Sequence, residues 1–178
     1  MINNIAYIGI GSNVGVQINK IDSAVELIDE NPNCEVLSVS SIYESAPYGE
    51  IEQEEFFNLV IKVDTSFGPK ELFHFLKHVE KEVGRKQSIK WGPREIDLDI
   101  LFFNELIYLD KEIQIPHKDL LNRDFVLVPL VEIEPDLIHP EYQKKISEIS
   151  NFQTEKEENL PKTRKSFIIR KIPHKILI

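Results

Sequence analysis

The chain has 178 residues, a net charge of -9 and one cysteine, Cys34, which excludes an internal disulfide and a cysteine-cluster zinc site. Its 42% hydrophobic and 29% charged residues fit one soluble globular domain with a sizeable core. No apolar run reaches the length of a membrane span and no basic region precedes an apolar signal core at the N-terminus, so a cytoplasmic protein is expected. Charge is uneven. Lys162, Arg164, Lys165, Arg170, Lys171 and Lys175 give residues 160–178 a charge of +6 with no acid, leaving -15 on the rest. A body at -15 repels nucleic acid, so an anionic small molecule would have to be gathered by a local basic cluster. Arg85, Lys86, Lys90 and Arg94 form such a cluster in the sequence.

In chain order, residues 5–8 read as a buried strand running into Gly9-Ile10-Gly11-Ser12-Asn13-Val14-Gly15. A helix follows, with Ile18, Ile21, Val25 and Ile28 at helical spacing and Asn31-Pro32-Asn33 as its stop. The dinucleotide fingerprint needs its third glycine three positions after the second, whereas Gly15 lies four after Gly11. No Gly-Lys-Ser/Thr of a phosphate loop is present either. The glycines are expected to permit a tight turn, and Ser12 and Asn13 to offer polar groups at the strand end. Residues 35–43 and 56–65 read as the second and third strands. The segment 44–55 between them has no period and reads either as a binding loop or lid, or as a solvated acidic loop. Asn58 interrupts the apolar run Phe56-Phe57-Asn58-Leu59-Val60-Ile61, so its amide must satisfy backbone or read a polar ligand.

Pro69 opens a second helix, with Leu72, Phe75, Leu76, Val79 and Val83 as its buried stripe and Gly84 as its stop. His74 and His78 lie one turn apart, but without a His-Glu-x-x-His pattern they read as surface residues. A basic loop, 85–90, leads into Trp91-Gly92-Pro93-Arg94-Glu95-Ile96-Asp97-Leu98-Asp99. In a strand Asp97 and Asp99 share one face about 7 Å apart, with Ile96, Leu98 and Ile100 on the other. That face is either one wall of a hard-cation site or an ordinary solvated strand face. After the strand 95–103, Asn104-Glu105 turns the chain, extended pieces follow at 106–109 and 113–117, and 118–123 reads as a short turn or helix. Residues 125–133 read as core, with Pro129 near a helix start or kink, and 143–150 as a short helix. Residues 151–163 read as a linker, and 166–172 as an added strand, an oligomer contact or a basic arm. The order strand-helix-strand-strand-helix-strand is that of an α+β, ferredoxin-like antiparallel sheet with helices on one face. The expected organisation is one domain over 1–150 and a basic C-terminal extension over 151–178.

Several motifs together carry a resemblance: Gly11-Ser12-Asn13-Val14-Gly15; Pro47-Tyr48-Gly49 with Gln53 and Phe56-Phe57-Asn58; Glu80 with Gly84-Arg85; Trp91-Gly92-Pro93-Arg94 through Asp97-Leu98-Asp99; and Pro116-His117 with Asn122-Arg123-Asp124-Phe125. In order and spacing, over roughly residues 5 to 140, the chain resembles the 6-hydroxymethyl-7,8-dihydropterin pyrophosphokinase family of folate biosynthesis. The resemblance implies transfer of an intact pyrophosphoryl group from ATP to the pterin's hydroxymethyl oxygen, releasing AMP. It implies two Mg2+ ions held by Asp97 and Asp99, with Arg85 and Arg94 as catalytic guanidinium clamps. ATP would meet Glu80, Arg85, Lys90, Trp91, Arg94, Ile100, His117 and Arg123. The pterin would meet Ser45, Ala46, Tyr48, Phe56, Asn58, Trp91 and Phe125, its ring between the two phenylalanines and Asn58 on its hydrogen-bonding edge. The loops 44–55 and 85–90 would close as lids.

The chain departs from the family pattern at Gln87, where a second arginine is common, at Lys90 for an arginine, and at Lys118 for an aromatic. These positions bear on ATP affinity and lid closure. The expected partners are ATP and the pterin, with neither nucleic acid nor membrane, and a monomer is expected unless the C-terminal extension makes a dimer. Two other classes keep part of the pattern. Another Mg-dependent nucleotide-cleaving enzyme would need the carboxylates and arginines but not the aromatic-Asn set. A nonenzymatic RNA-binding domain would need a basic body.

Overall fold

The structure, a computed structural model, describes residues 3–47, 53–86, 92–151 and 166–178. Five elements build the first half: β1 (Asn4–Ser12), α1 (Gln17–Asp29), β2 (Cys34–Val39), β3 (Ile42–Ser45) and β4 (Phe56–Thr65). Then come α2 (Pro69–Glu82), β5 (Asp97–Phe103), β6 (Tyr108–Leu109), β7 (Gln114–Ile115) and, after a 3-10 turn at Leu120–Asn122, α3 (Asp124–Ile133). The chain ends with β8 (Ile138–His139), β9 (Lys144–Lys145), α4 (Ile146–Asn151) and β10 (Ile168–Ile172). The result is a mixed α/β fold around one antiparallel sheet.

The main sheet runs β10-β3-β4-β1-β5, with β2 beside the far end of β4. Its period-2 pattern makes two cores. Ala6, Ile8, Ile10, Leu98 and Ile100 face α1 and α2, whose Ile21, Val25, Ile28, Leu72, Leu76 and Val79 complete that layer. Tyr7, Val60, Leu101 and Phe102 face the other way, onto Val126, Leu127 and Leu130 of α3 and Ile146 of α4. Helices therefore cover both sides of the sheet, not one as the element order suggested. Its second face carries large apolar side chains that must also leave water.

Three further expectations change. Gly9 and Gly11 do not turn the chain; β1 continues through Ser12, paired with β4 on one side and β5 on the other. A Cβ at Gly9 would lie 3.3 Å from the Leu101 side chain and one at Gly11 would lie 3.1 Å from Asn58 Oδ1, so both glycines keep a strand flat against its neighbours' side chains. The turn is made at Gly15, with φ +75°. The single strand expected over 35–43 is broken at Ser40, whose hydroxyl accepts the Val60 N–H at 2.9 Å while its own N–H donates to Val60 O at 2.9 Å. Of the helix expected over 143–150, Lys144–Lys145 pairs instead with Ile138–His139 and the helix begins only at Ile146. The third strand matches its expected bounds, 56–65. His74 and His78 are exposed on α2. Of the three readings of 166–172, the added strand is the one adopted, antiparallel to β3.

Candidate active site

Register creates the site. Gly11 pairs with Asn58 on one side and with Asp97 on the other, so an amide and a carboxylate flank a glycine in one row across three strands. With strands about 4.8 Å apart, the two side chains stand roughly 10 Å apart across a floor that has no side chain. Above that floor lies a cavity of about 280 Å3, lined by Ser45, Ala46, Phe56, Asn58, Arg94, Asp97, Asp99, His117, Arg123 and Phe125, among others. Ten of the residues expected from sequence thus meet in one place.

The charged end is built from α2 and β5. Gly84, with φ +103°, ends α2, and the Arg85 N–H closes back on Glu80 O at 2.9 Å. This returns the Arg85 guanidinium to β5, where it donates to Asp97 Oδ1 at 2.8 Å and also pairs with Glu80. Arg94 pairs with Asp97 Oδ2. Burial works to raise the Asp97 carboxyl, but the Arg94, Lys77 and Arg85 charges prevail and hold it below the ordinary carboxylate value. For Arg85, burial opposes the charge, and Asp97 and Glu80 outweigh it, holding the guanidinium above its usual value. Asp99 is more open: its side chain is 35% exposed, and Lys77 Nζ and His117 Nε2 each stand 3.9 Å from one of its oxygens. Burial pushes His117 below the usual imidazole value, and the Arg123 charge adds to this against the Asp99 charge, so the ring is neutral near pH 7.

The other end is apolar with one polar feature. Asn58 is 7% exposed, and its Nδ2 donates to Ser45 Oγ at 2.8 Å across the β3-β4 pair. Phe56 at the start of β4 and Phe125 in the first turn of α3 provide the aromatic surfaces.

Three expected residues do not line this cavity. Ile100 points to the opposite face, buried in the core against α1 and α2, because alternation along β5 sends it away from Asp97 and Asp99. Glu80, 3% exposed, has both oxygens engaged: Oε1 accepts Lys77 Nζ at 2.6 Å and the Leu98 N–H at 2.8 Å, and Oε2 pairs with Arg85. Its carboxylate anchors α2 to β5 and holds Arg85, where a nucleotide contact was expected. Arg85 reaches Asp97 without lining the cavity. Tyr48, Lys90 and Trp91, with Gln87 and the parts of the two expected lids at 48–52 and 87–90, lie outside the described residues.

Four residues outside the expected site set also shape the site. Asn13, 3% exposed, exchanges two bonds with Arg94, donating its N–H to Arg94 O at 3.1 Å and accepting the Arg94 N–H on Oδ1 at 2.7 Å. Its Nδ2 donates to Gln53 Oε1 at 3.1 Å, so Asn13 and Gln53 join the two segments that border the cavity. Ser12 Oγ adds a bond to Glu95 O at 2.6 Å. The polar groups after β1, expected to greet a ligand, instead clip the Gly92–Ile96 turn in place. Lys77 is the one that sequence reasoning missed; its i, i+3 spacing to Glu80 was its one sequence signal.

A cavity with carboxylates and arginines at one end and aromatics with a buried amide at the other has the chemistry to take a polyanionic group beside a flat heteroaromatic. The family model for 7,8-dihydro-6-hydroxymethylpterin-pyrophosphokinase (HPPK) matches residues 7–135. The chain belongs to this family. It is 47% identical over 142 residues to the 2-amino-4-hydroxy-6-hydroxymethyldihydropteridine pyrophosphokinase of Aquifex aeolicus, covering 80% of this chain and 88% of that protein. The protein of the same name from Bacillus subtilis is 42% identical over 131 residues, 74% and 78% of the two chains. The Bifunctional protein FolKE of Lactococcus lactis is 37% identical over 172 residues, 93% of this chain but 49% of that one. A Plasmodium falciparum HPPK-DHPS crystal structure shares the fold, with TM-score 0.71 and 17% identity, over 85% of this chain and 46% of the other. The chain thus spans most of its single-activity relatives and about half of the bifunctional ones.

Proposed function

We propose that the chain transfers the pyrophosphoryl group of ATP to the hydroxymethyl oxygen of 6-hydroxymethyl-7,8-dihydropterin, a step of folate biosynthesis. The pterin oxygen bonds to the β-phosphorus of ATP, the bond from that phosphorus to the α-phosphate's bridging oxygen breaks, AMP leaves, and the hydroxyl proton is lost. The observation that carries this reading is a single cavity joining the Asp97-Asp99-Arg94 end to the Phe56-Asn58-Phe125 end.

At the pterin end, Phe56 and Phe125 stack on the flat ring and Asn58 reads its edge, held in place by Ser45. A ring without matching groups would leave that buried amide unpaired, which makes it a specificity element. At the phosphate end, Arg94 and Arg85 exchange their contacts with Asp97 for the oxygens of ATP, with bidentate geometry that lysine cannot reproduce. Arg123 and neutral His117 bind on the nucleotide side. Tyr48, Lys90 and Trp91 keep the roles that the family resemblance implies.

Asp97 and Asp99 suit a hard divalent ion: both are oxygen donors on one face of β5, both line the cavity, and Asp99 is partly open. Two Mg2+ ions held by this pair would supply charge neutralisation at the phosphate oxygens and orientation of the attacking hydroxyl. The rest of catalysis is positioning, which Glu80, Asn13 and Lys77 provide by fixing Arg85, Arg94 and β5.

The strand order and the two helices on one face support a ferredoxin-like classification of the sheet, with 1–150 as the pyrophosphokinase domain and 151–178 as an extension. A cytoplasmic monomer is the simplest assembly for this reading. No helix among the described residues is long and apolar enough to cross a membrane. Incubation with ATP, Mg2+ and 6-hydroxymethyl-7,8-dihydropterin should release AMP only when the pterin is present. Release of ADP or orthophosphate, or no turnover by folded protein, would refute the proposal.

A further inference from the structure

Residues 166–178 lie beyond the family match, which ends at 135, yet they reach the pterin end of the cavity. β10 pairs with β3, Ile168 opposite Ser45, and the Ala46 N–H donates to Phe167 O at 2.8 Å. The same few residues also hold α3. Asp124 Oδ2 accepts Ser166 Oγ at 2.7 Å and the Phe167 N–H at 2.8 Å, while its Oδ1 accepts the N–H of the adjacent Phe125 at 2.8 Å. The Phe167 ring meets the Phe125 ring edge to face, with centroids 6.1 Å apart and planes at 90°. Two cavity walls from separate elements, Ser45-Ala46 and Phe125, are therefore fastened to one short stretch of chain.

We infer that the C-terminal strand is a brace for the pterin site and that Phe167 is a positioning residue acting through Phe125. Phe125 sits half-buried in the first turn of α3, just after the 3-10 turn at Leu120–Asn122. A ring that stacks on a ligand binds more tightly when its rotamer is already fixed from behind, because less side-chain freedom is lost on binding. Asp124 fixes the backbone beside Phe125, and Phe167 fixes the ring. Polar pairs serve the same attachment: Arg170 pairs with Glu44, Lys171 Nζ with Glu132 at 3.1 Å, and beyond the strand the His174 ring lies 2.9 Å from Asp22. Arg170 and Lys171 of the tail thus meet carboxylates of the acidic body. These pairs are largely exposed and contribute little singly, so the effect on the site resides in Phe167 and Asp124.

The inference rests on assigning Phe125 to the pterin ring, and the test separates the two. Full-length wild type, Phe125→Ala, Phe167→Ala and Phe167→Leu are titrated with 6-hydroxymethylpterin by its fluorescence, in the presence of Mg2+ and α,β-methylene-ATP. The Kd of that nucleotide is measured alongside. Phe167→Ala should weaken pterin binding roughly fivefold, in keeping with the loss of one edge-to-face pair. Phe167→Leu, which keeps apolar volume, should weaken it about twofold, a partial rescue, and neither should change nucleotide affinity. Wild-type pterin affinity in Phe167→Ala, or in Phe167→Leu where the alanine variant unfolds, would overturn the brace. An equal loss of nucleotide affinity would do so too, since it would mean general loosening. Wild-type affinity in Phe125→Ala would instead remove the pterin assignment on which the brace depends.

Discussion

The two ends of the cavity are built on opposite principles. At the phosphate end the chain gathers Arg85, Arg94, Lys77, Glu80 and Asp97 within a few ångströms, and the charges neutralise one another in advance. At the pterin end Phe56, Asn58, Ser45 and Phe125 are set by strand register and by packing. The first end is preorganised by a network of ions, which phosphates would enter by exchange on the proposed reading. The second is a shaped surface on which a ring can be laid. A reaction between a polyanion and a neutral heterocycle needs both, because the low-dielectric surface that suits the ring would repel the phosphates.

The largest expected effect breaks the charged end. Asp97→Ala and Asp99→Ala should each lower kcat by at least about a hundredfold, the scale of removing one preorganised electrostatic element, with the far-UV circular dichroism spectrum unchanged. Near-normal turnover in either variant would refute its role as a metal ligand. A smaller effect sharpens the contrast. Asn58→Ala should raise the Kd for the pterin about tenfold, on the order of 1.4 kcal/mol for one buried polar partner, and leave ATP affinity alone. Equal shifts for both substrates would mean that the ends are not separate.

The smallest effect tests whether packing alone holds the pterin end. Glu132 on α3 accepts the Ser41 N–H at 3.1 Å, Ser41 Oγ at 2.7 Å and Tyr43 Oη at 3.0 Å, besides Lys171. Burial works to raise this carboxyl, but the bonds from Ser41, Lys171 and Tyr43 prevail and hold it below the ordinary value. A carboxyl lowered on folding contributes stability above its unfolded pKa, and that contribution is lost as pH falls through the folded one. Urea unfolding of wild type and Glu132→Gln should therefore differ by roughly 1 kcal/mol at pH 7. The difference should begin to shrink as pH falls below the ordinary glutamate value of about 4.3 and should vanish only once pH has passed through the lower folded value. A difference independent of pH would remove Glu132 as an electrostatic tie.

Much of this was legible in the residue order, and for local reasons. The apolar strand at 56–65, the helix opened by Pro69 and closed by Gly84, and the common face of Asp97 and Asp99 all follow from local chain properties. The combined motifs from Gly11 to Phe125 carried the family, and ten of the residues it implied line one cavity. Other features depended on partners far away in sequence. Gly9 and Gly11 look like a turn until Leu101 and Asn58 are placed beside them. Glu80 looks like a ligand contact until Lys77, Arg85 and Leu98 occupy its oxygens. The tail reads equally as an added strand, an oligomer contact or a basic arm until β3 and Asp124 receive it. Periodicity and turn chemistry are properties of neighbours along the chain, and the sequence determines them by itself. Which hydrogen-bonding groups are already satisfied depends on the whole fold, and only the tertiary structure decides it.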